Sequence, residues 1–215
     1  MAKTRDVPTE LRTFNSVFNS LTYRHDASRV FDDFLTIVIC CMCYEQQEPL
    51  YFETIKNYNK EEIQRFAQLM AELMKLYFKA EQNGYWIDPL GDYYEVLAGN
   101  YKKSRLGQFF TPKPLCDIMS MLIIDKDDFG KTVNEPTCGS GRIVLAANNY
   151  APGNYYVCQD LDPMCCKMAA INCCFHTVRA EIHCMDTLRM TPPTVSYYIN
   201  YEHWKYKTKY IILKK

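Results

Sequence analysis

No stretch of 18 or more uncharged apolar residues occurs in the 215-residue chain, so no membrane-spanning helix is expected. The opening Met1-Ala2-Lys3-Thr4-Arg5-Asp6 leads into no apolar core of the secretory type. A basic excess is missing as well, because 25 Lys and Arg balance 25 Asp and Glu. A chain that grips duplex DNA alone usually carries surplus positive charge, since neutralising phosphates drives that binding. DNA is therefore expected as a partner only with help from another protein, unless a local basic patch is hidden in the zero net charge. The 11 cysteines are odd in number and follow no export signal, which points to reduced thiols in a cytoplasmic protein. The neighbouring Cys40, Cys41 and Cys43, and the pairs Cys165-Cys166 and Cys173-Cys174, lack paired Cys-x-x-Cys knuckles. Packed thiols and no metal site are expected.

What is present falls into two textures. Residues 1–100 read as a helical N-terminal region. Asp26 suits the cap of a helix running to about Met42, with Val30, Phe31, Phe34, Leu35, Val38 and Cys41 on its apolar face. Asn59 and Glu62 form a capping-box pattern ahead of the stripe Ile63, Phe66, Met70, Leu73, Tyr77 and Ala80. Asn83-Gly84 is a stop signal. Thr111-Pro112 reads as a helix start before Leu115, Ile118, Met119 and Leu122. Residues 101–215 read as an α/β domain. Short β-prone runs at Lys131–Asn134, Tyr155–Gln159 and Ala180–Met185 alternate with helical signals, the pattern of βαβ units on a parallel sheet.

The most informative segment is Glu135-Pro136-Thr137-Cys138-Gly139-Ser140-Gly141, where a strand turns through small residues into a helix. Glycines there allow a ligand close to the backbone, and a helix N-terminus offers unpaired N–H groups. A plain tight turn is the alternative. Asp160 follows Gly139 by 21 residues, at the end of the second strand, where a carboxylate is placed to bond ribose hydroxyls or merely to shape a turn. Asp186 ends the third strand. Three acids, Glu135, Asp160 and Asp186, are thus expected at the carboxyl edge of one sheet, the edge at which open α/β sheets bind ligands. That set suits a ligand with hydroxyls, an exocyclic amine and a cationic amino group, and would serve a pyrophosphate poorly.

These residues carry a family likeness. Gly107-Gln108-Phe109-Phe110-Thr111-Pro112 resembles the segment that opens the methylase domain of type I restriction-modification subunits and related adenine-N6 DNA methyltransferases. The Glu135–Gly141 turn is similar to the family's cofactor turn, which often starts with Asp and carries a further Gly where this chain has Arg142. Gln159-Asp160-Leu161-Asp162-Pro163 with Met168–Asn172, and Asp186-Thr187-Leu188, resemble its second and third motifs; Asp88–Glu95 resembles the approach to its core. The resemblance implies a Rossmann-like sheet that binds S-adenosylmethionine. Phe110, Thr111 and Pro112 would border its methionine part. Glu135, Pro136, Thr137, Gly139, Ser140 and Gly141 would hold its amino group and backbone-facing edge. Asp160 with Leu161 would meet the ribose, and Asp186 would lie near the adenine amine.

One motif is missing. Methylating an exocyclic amine requires the base to leave the stack and be oriented against an aromatic ring, which the family does with Asn/Asp/Ser-Pro-Pro-aromatic at the end of a strand. Here the Pro-Pro pair is Thr191-Pro192-Pro193-Thr194, five residues beyond Asp186, which reads as a turn. Thr194 cannot stack, and Thr191 is a poorer acceptor than a carboxylate or an amide. The expected fold is a doubly wound α/β sheet, incomplete relative to the family, with three parallel strands and a Tyr/Lys-rich C-terminal strand or hairpin. Lys205–Tyr210 suits either a phosphate-contacting ribbon or an edge strand placed beside the first strand. Three functions follow: an adenine-N6 DNA methyltransferase, an inactive S-adenosylmethionine sensor or regulator, or half of a split enzyme completed by a partner chain. Cys138, inside the turn, is not expected to act as a nucleophile.

Overall fold

The structure is a computed structural model that describes residues 6–43, 45, 47–101, 110–202 and 208–214. Five helices come first: α1 (Arg12–Leu21), α2 (Ala27–Met42), α3 (Glu48–Ile55), α4 (Lys60–Asn83) and α5 (Pro89–Tyr101). Local chemistry sets their ends. The Asp26 carboxylate accepts from the Arg29 amide at 3.0 Å, and Asn59 and Glu62 complete a reciprocal capping box at the start of α4. The α4 stripe turns inward as its spacing predicts, with Phe66, Leu69, Leu73, Tyr77 and Ala80 buried. On α2 the predicted face is buried through Val38, whereas Cys41 is exposed near the helix end.

After α6 (Lys113–Ile123) the chain builds β1 (Thr132–Glu135), α7 (Arg142–Tyr150), β2 (Tyr155–Asp160), α8 (Pro163–Phe175), β3 (Arg179–Cys184), β4 (Val195–Ile199) and β5 (Ile211–Lys214). The sheet order is β1-β2-β3-β4-β5, with β1, β2 and β3 parallel and β4 and β5 antiparallel additions. The α/β class, the three parallel strands and the C-terminal pair agree with the sequence. Two details differ. The C-terminal strands lie beyond β3, not beside β1. The winding is also single rather than double: the order never reverses among the parallel strands, and α7 and α8 touch each other on one face.

Alternation along the strands shows the result. Tyr156, Cys158, Ala180, Ile182, Tyr197 and Ile199 are buried under the helical layer. Their neighbours Tyr155, Val157, Glu181, His183 and Tyr198 are only partly covered and satisfy one another, as in the 2.8 Å contact of His183 Nδ1 with Ser196 Oγ. A sheet with one face on the core and one toward water alternates in this way. Helix α2 packs on α8, and one apolar cluster runs from Val7 on the helical side to Ile211 on the sheet.

The apolar stripe of α6 is a correction. Leu115, Ile118 and Leu122 do not point into the core but are 46%, 54% and 80% exposed, and the helix buries Cys116 and Ser120 instead. Helix α6 packs on α7, and α7 on α8, so the helical layer extends past β1 while the sheet stops there. With no strand beneath it among the described residues, the stripe faces open space. Lys205, Tyr206 and Lys207 lie outside the described residues, and strand β5 begins only after Tyr210. No described helix is long and apolar enough to cross a membrane.

The two apolar stripes should therefore differ in energetic weight. Leu69→Ala in α4 removes a fully buried side chain and should cost about 2–5 kcal/mol. Leu122→Ala in α6 should change stability by no more than about 0.5 kcal/mol. Urea unfolding of both variants measures the contrast, and equal losses would mean that α6 is covered.

Candidate functional site

Parallel pairing brings the three acids together. β1 is registered with Glu135 opposite Cys158, and β2 with Asp160 opposite Cys184, so Glu135 and Asp160 close their strands at the same edge and Asp186 follows β3 by two residues. Lateral bonds tie the strand tips. The Cys138 amide donates to Gln159 O at 2.9 Å, the Met185 amide to Asp160 O at 2.9 Å, and the Thr187 hydroxyl to Pro136 O at 3.0 Å. One edge therefore carries all three turns.

Each carboxylate has a defined environment. Asp160 accepts from the Gly139 amide at 2.8 Å and the Asp162 amide at 2.9 Å, one on each oxygen. A carboxylate has about four acceptor positions, so two bonds leave room for hydroxyl donors. Glu135 Oε1 accepts from the Thr137 amide at 3.1 Å and from its hydroxyl at 3.3 Å. Asp186 shapes its own turn by accepting from the Arg189 amide at 3.1 Å. Asp162 caps α8 through the Met164 amide, as the Asp-Pro pair predicts.

A cleft opens between the glycine turn and the segment before α6. Phe110, Thr111, Thr137, Gly139, Ser140 and Asp160 from the predicted set line it. Pro112, Glu135, Pro136, Gly141, Leu161 and Asp186 lie outside its walls; Leu161 is 70% exposed and Pro112 caps α6. Gly107, Gln108 and Phe109 are outside the described residues. Four lining residues went unassigned in the sequence: Cys138, Arg142, Ile143 and Cys165. Cys138 is buried, and its thiol is held well above its usual value, first by its hydrogen bond with Cys158 and then by burial. It is a packed thiol, not a nucleophile.

The turn requires glycine twice. Gly139 has φ +54°, and a Cβ there would stand 3.0 Å from the Phe110 ring. Gly141 caps α7 at φ +92°, in the left-handed region that favours glycine. Among the described residues, no side chain caps the first turn of α7.

Beneath the turn is a buried polar hub. Asp88 has no exposed surface. Its carboxylate accepts from the Gly91 amide at 2.8 Å, Ser140 Oγ at 2.6 Å, Arg142 Nε at 2.7 Å and Asn172 Nδ2 at 2.7 Å. Asn172 also donates to Ser140 O at 2.8 Å and accepts from the Tyr77 hydroxyl. The Ser140 side chain thus turns away from the cleft and into the hub. Arg142 extends the hub through Asp92 and Glu95 at 2.9 and 2.8 Å. Among the described residues, no group of three His, Cys, Asp or Glu side chains is arranged to hold a metal ion.

A strand–glycine turn–helix unit with acids at successive strand tips is the form of a nucleoside-binding α/β site. The N-6 DNA methylase family model matches residues 86–210, and the chain belongs to that family. It is similar to the methylase subunit of the type I restriction enzyme MjaVII from Methanocaldococcus jannaschii, with 26% identity over 132 residues, which are 56% of this chain and 22% of that subunit. The StySPI methylase subunit from Salmonella potsdam is 24% identical over 147 residues, covering 59% of this chain and 27% of that one. A solved type I restriction-modification methyltransferase subunit from Streptococcus thermophilus superposes with a TM-score of 0.47 at 28% identity, covering 85% of this chain and 41% of that chain. The chain spans about a quarter of the length of these curated relatives.

The hub sets an expectation for stability. Asp88→Ala leaves the Arg142 guanidinium, whose side chain is 6% exposed, without its innermost partner. Breaking a buried pair in this way costs about 3–5 kcal/mol, whereas an exposed pair such as Lys75–Glu72 contributes about 0–1 kcal/mol. Chemical denaturation of Asp88→Ala and Lys75→Ala should show that difference, and near-equal midpoints would refute the weight given to the hub.

Proposed function

We propose that this chain binds S-adenosylmethionine at the carboxyl edge of β1–β3 and is the cofactor-binding part of an adenine-N6 DNA methyltransferase of the type I restriction-modification kind. What supports the reading is a cleft walled by Phe110, Thr111, Thr137, Gly139 and Asp160, at the sheet edge where β1 ends in Glu135, β2 ends in Asp160 and β3 is followed by Asp186, three acids in all. Their negative charge suits a ligand bearing a sulfonium and an ammonium group. Asp160, followed by Leu161, keeps acceptor positions for ribose hydroxyls, Glu135 would take the amino group, and Asp186 would border the adenine. Phe110, Thr111 and Pro112 stand across from Gly139 on the side assigned to the methionine part. The cofactor would supply the methyl group for direct transfer to the exocyclic nitrogen of adenine. What this chain's own residues do is bind and orient.

Orientation of the target base is a separate task, and the residues for it are absent from the 215. Thr191-Pro192-Pro193-Thr194 precedes β4 as a turn: Thr191 Oγ1 accepts from the Asp186 amide at 3.1 Å, and Thr194 bonds Cys184 O. Among the described residues no strand pairs with the outer side of β1 and the apolar stripe of α6 is exposed, which favours completion by another stretch of polypeptide over a self-sufficient sensor. An added strand there would pair with β1 and cover Ile118 and Leu122. With zero net charge, DNA contact would fall mainly to that partner.

Isothermal calorimetry with S-adenosylmethionine tests the cofactor claim. The wild-type chain should bind, and Asp160→Ala should bind at least about tenfold more weakly, the worth of hydrogen bonds to a charged acceptor. Absence of binding by the wild-type chain would sink it. Radiolabelled methyl transfer to unmethylated DNA should be undetectable with the chain alone, and methylation by the isolated chain would overturn the account of the missing motif.

A further inference from the structure

Arg142 opens α7, yet its side chain runs away from that helix into the acids of α5. Of its five donors, four meet partners on the hub and on the segment before α6. Nε meets Asp88 at 2.7 Å, and Nη2 meets Asp92 and Glu95. Nη1 points toward Thr111 O at 3.4 Å, and the guanidinium carbon lies 5.2 Å from the centre of the Phe110 ring. Phe110 in turn stands close against Gly139, so that a Cβ there would lie 3.0 Å from its ring. A single side chain therefore touches the hub under the turn, and both the backbone and the ring of the segment facing the turn.

We infer that Arg142 is a positioning residue for the cleft: it fixes the Phe110 ring and the Thr111 carbonyl opposite Gly139 and so sets the width of the ligand site. The inference rests on the cofactor reading above. Lysine cannot replace it, because a point charge cannot bond Asp88, Asp92, Glu95 and Thr111 at once while lying against an aromatic ring. Asp92 is further engaged by Lys113 at 2.6 Å, so this acid keeps a cationic partner when the fork is lost.

A double-mutant cycle separates positioning from general damage, since residues acting through one another give non-additive effects. Binding of S-adenosylmethionine is measured by calorimetry for wild type, Arg142→Lys, Phe110→Leu and the double variant, with folding checked by circular dichroism. Each single change should weaken binding about tenfold, and the double variant should also be weaker by about tenfold, because Arg142 acts through the ring. A double variant weaker by about a hundredfold, or an Arg142→Lys protein that binds as wild type does, overturns the inference and leaves the cofactor reading standing. Should Arg142→Lys fail to fold, Glu95→Gln, which meets the guanidinium at its solvent end, takes its place in the cycle with the same outcomes. A wild-type chain that does not bind S-adenosylmethionine overturns the cofactor reading itself.

Discussion

A carboxylate without access to water must find its donors inside the protein, and Asp88 draws four of them from four places in the chain. Gly91 lies on its own helix, Ser140 in the glycine turn, Arg142 at the head of α7, and Asn172 in α8. Isolated, such a charge would be prohibitively costly; with four donors and a buried cation it becomes the point through which the helical region and the sheet are held in one geometry. The glycine turn inherits its position from this hub. Ser140 and Asn172 fix it from below, Asp160 from the side, and Phe110 closes it from above. The cleft is therefore made by contacts among residues that are far apart in sequence.

That division explains what the sequence disclosed. Helix α4 was legible because its cap, its stripe and its stop all agree, and β1–β3 because each short apolar run ends in an acid beside a turn signal. The three acids share an edge as a direct consequence of parallel pairing, which alternation of strands and helices implies. Arg142 was harder to read. An arginine where the family often has glycine, it offered no local hint of Asp88, Asp92 and Glu95, which lie about 50 residues upstream. Periodicity likewise identified the α6 stripe but not what it faces. A stripe of Leu115, Ile118 and Leu122 reads the same whether it meets a core or an unfilled place.

Placement of the last strands follows from similar limits. A β-prone run such as Val195–Ile199 specifies extended backbone and leaves its partner to long-range competition. Here the ten residues from Met185 to Thr194 return the chain directly alongside β3, an antiparallel pairing that a short connection permits and a parallel crossover would not. Asn200 anchors the far end, donating to the carbonyls of Cys173, Cys174 and Val178 while its own carbonyl oxygen accepts from the Tyr210 amide. With β4 secured there, the outer side of β1 is left without a strand among the described residues.

Among the described residues, no strand pairs with the outer side of β1, and the base-orienting motif of the family is not found in the sequence. A strand placed against β1 and parallel to it would end beside Glu135, at the edge where the acids gather. A residue at its tip would stand next to the glycine turn, within the region a methyl acceptor must reach. Exposed edges are normally blunted by charge, bulges or cover. Among the described residues no strand covers the outer side of β1, and the apolar face of α6 is likewise exposed. Among the described residues, sheet pairing is thus left open at β1 and helix burial at α6, and the proposed assignment of cofactor binding and base orientation to different stretches of polypeptide rests on those two observations.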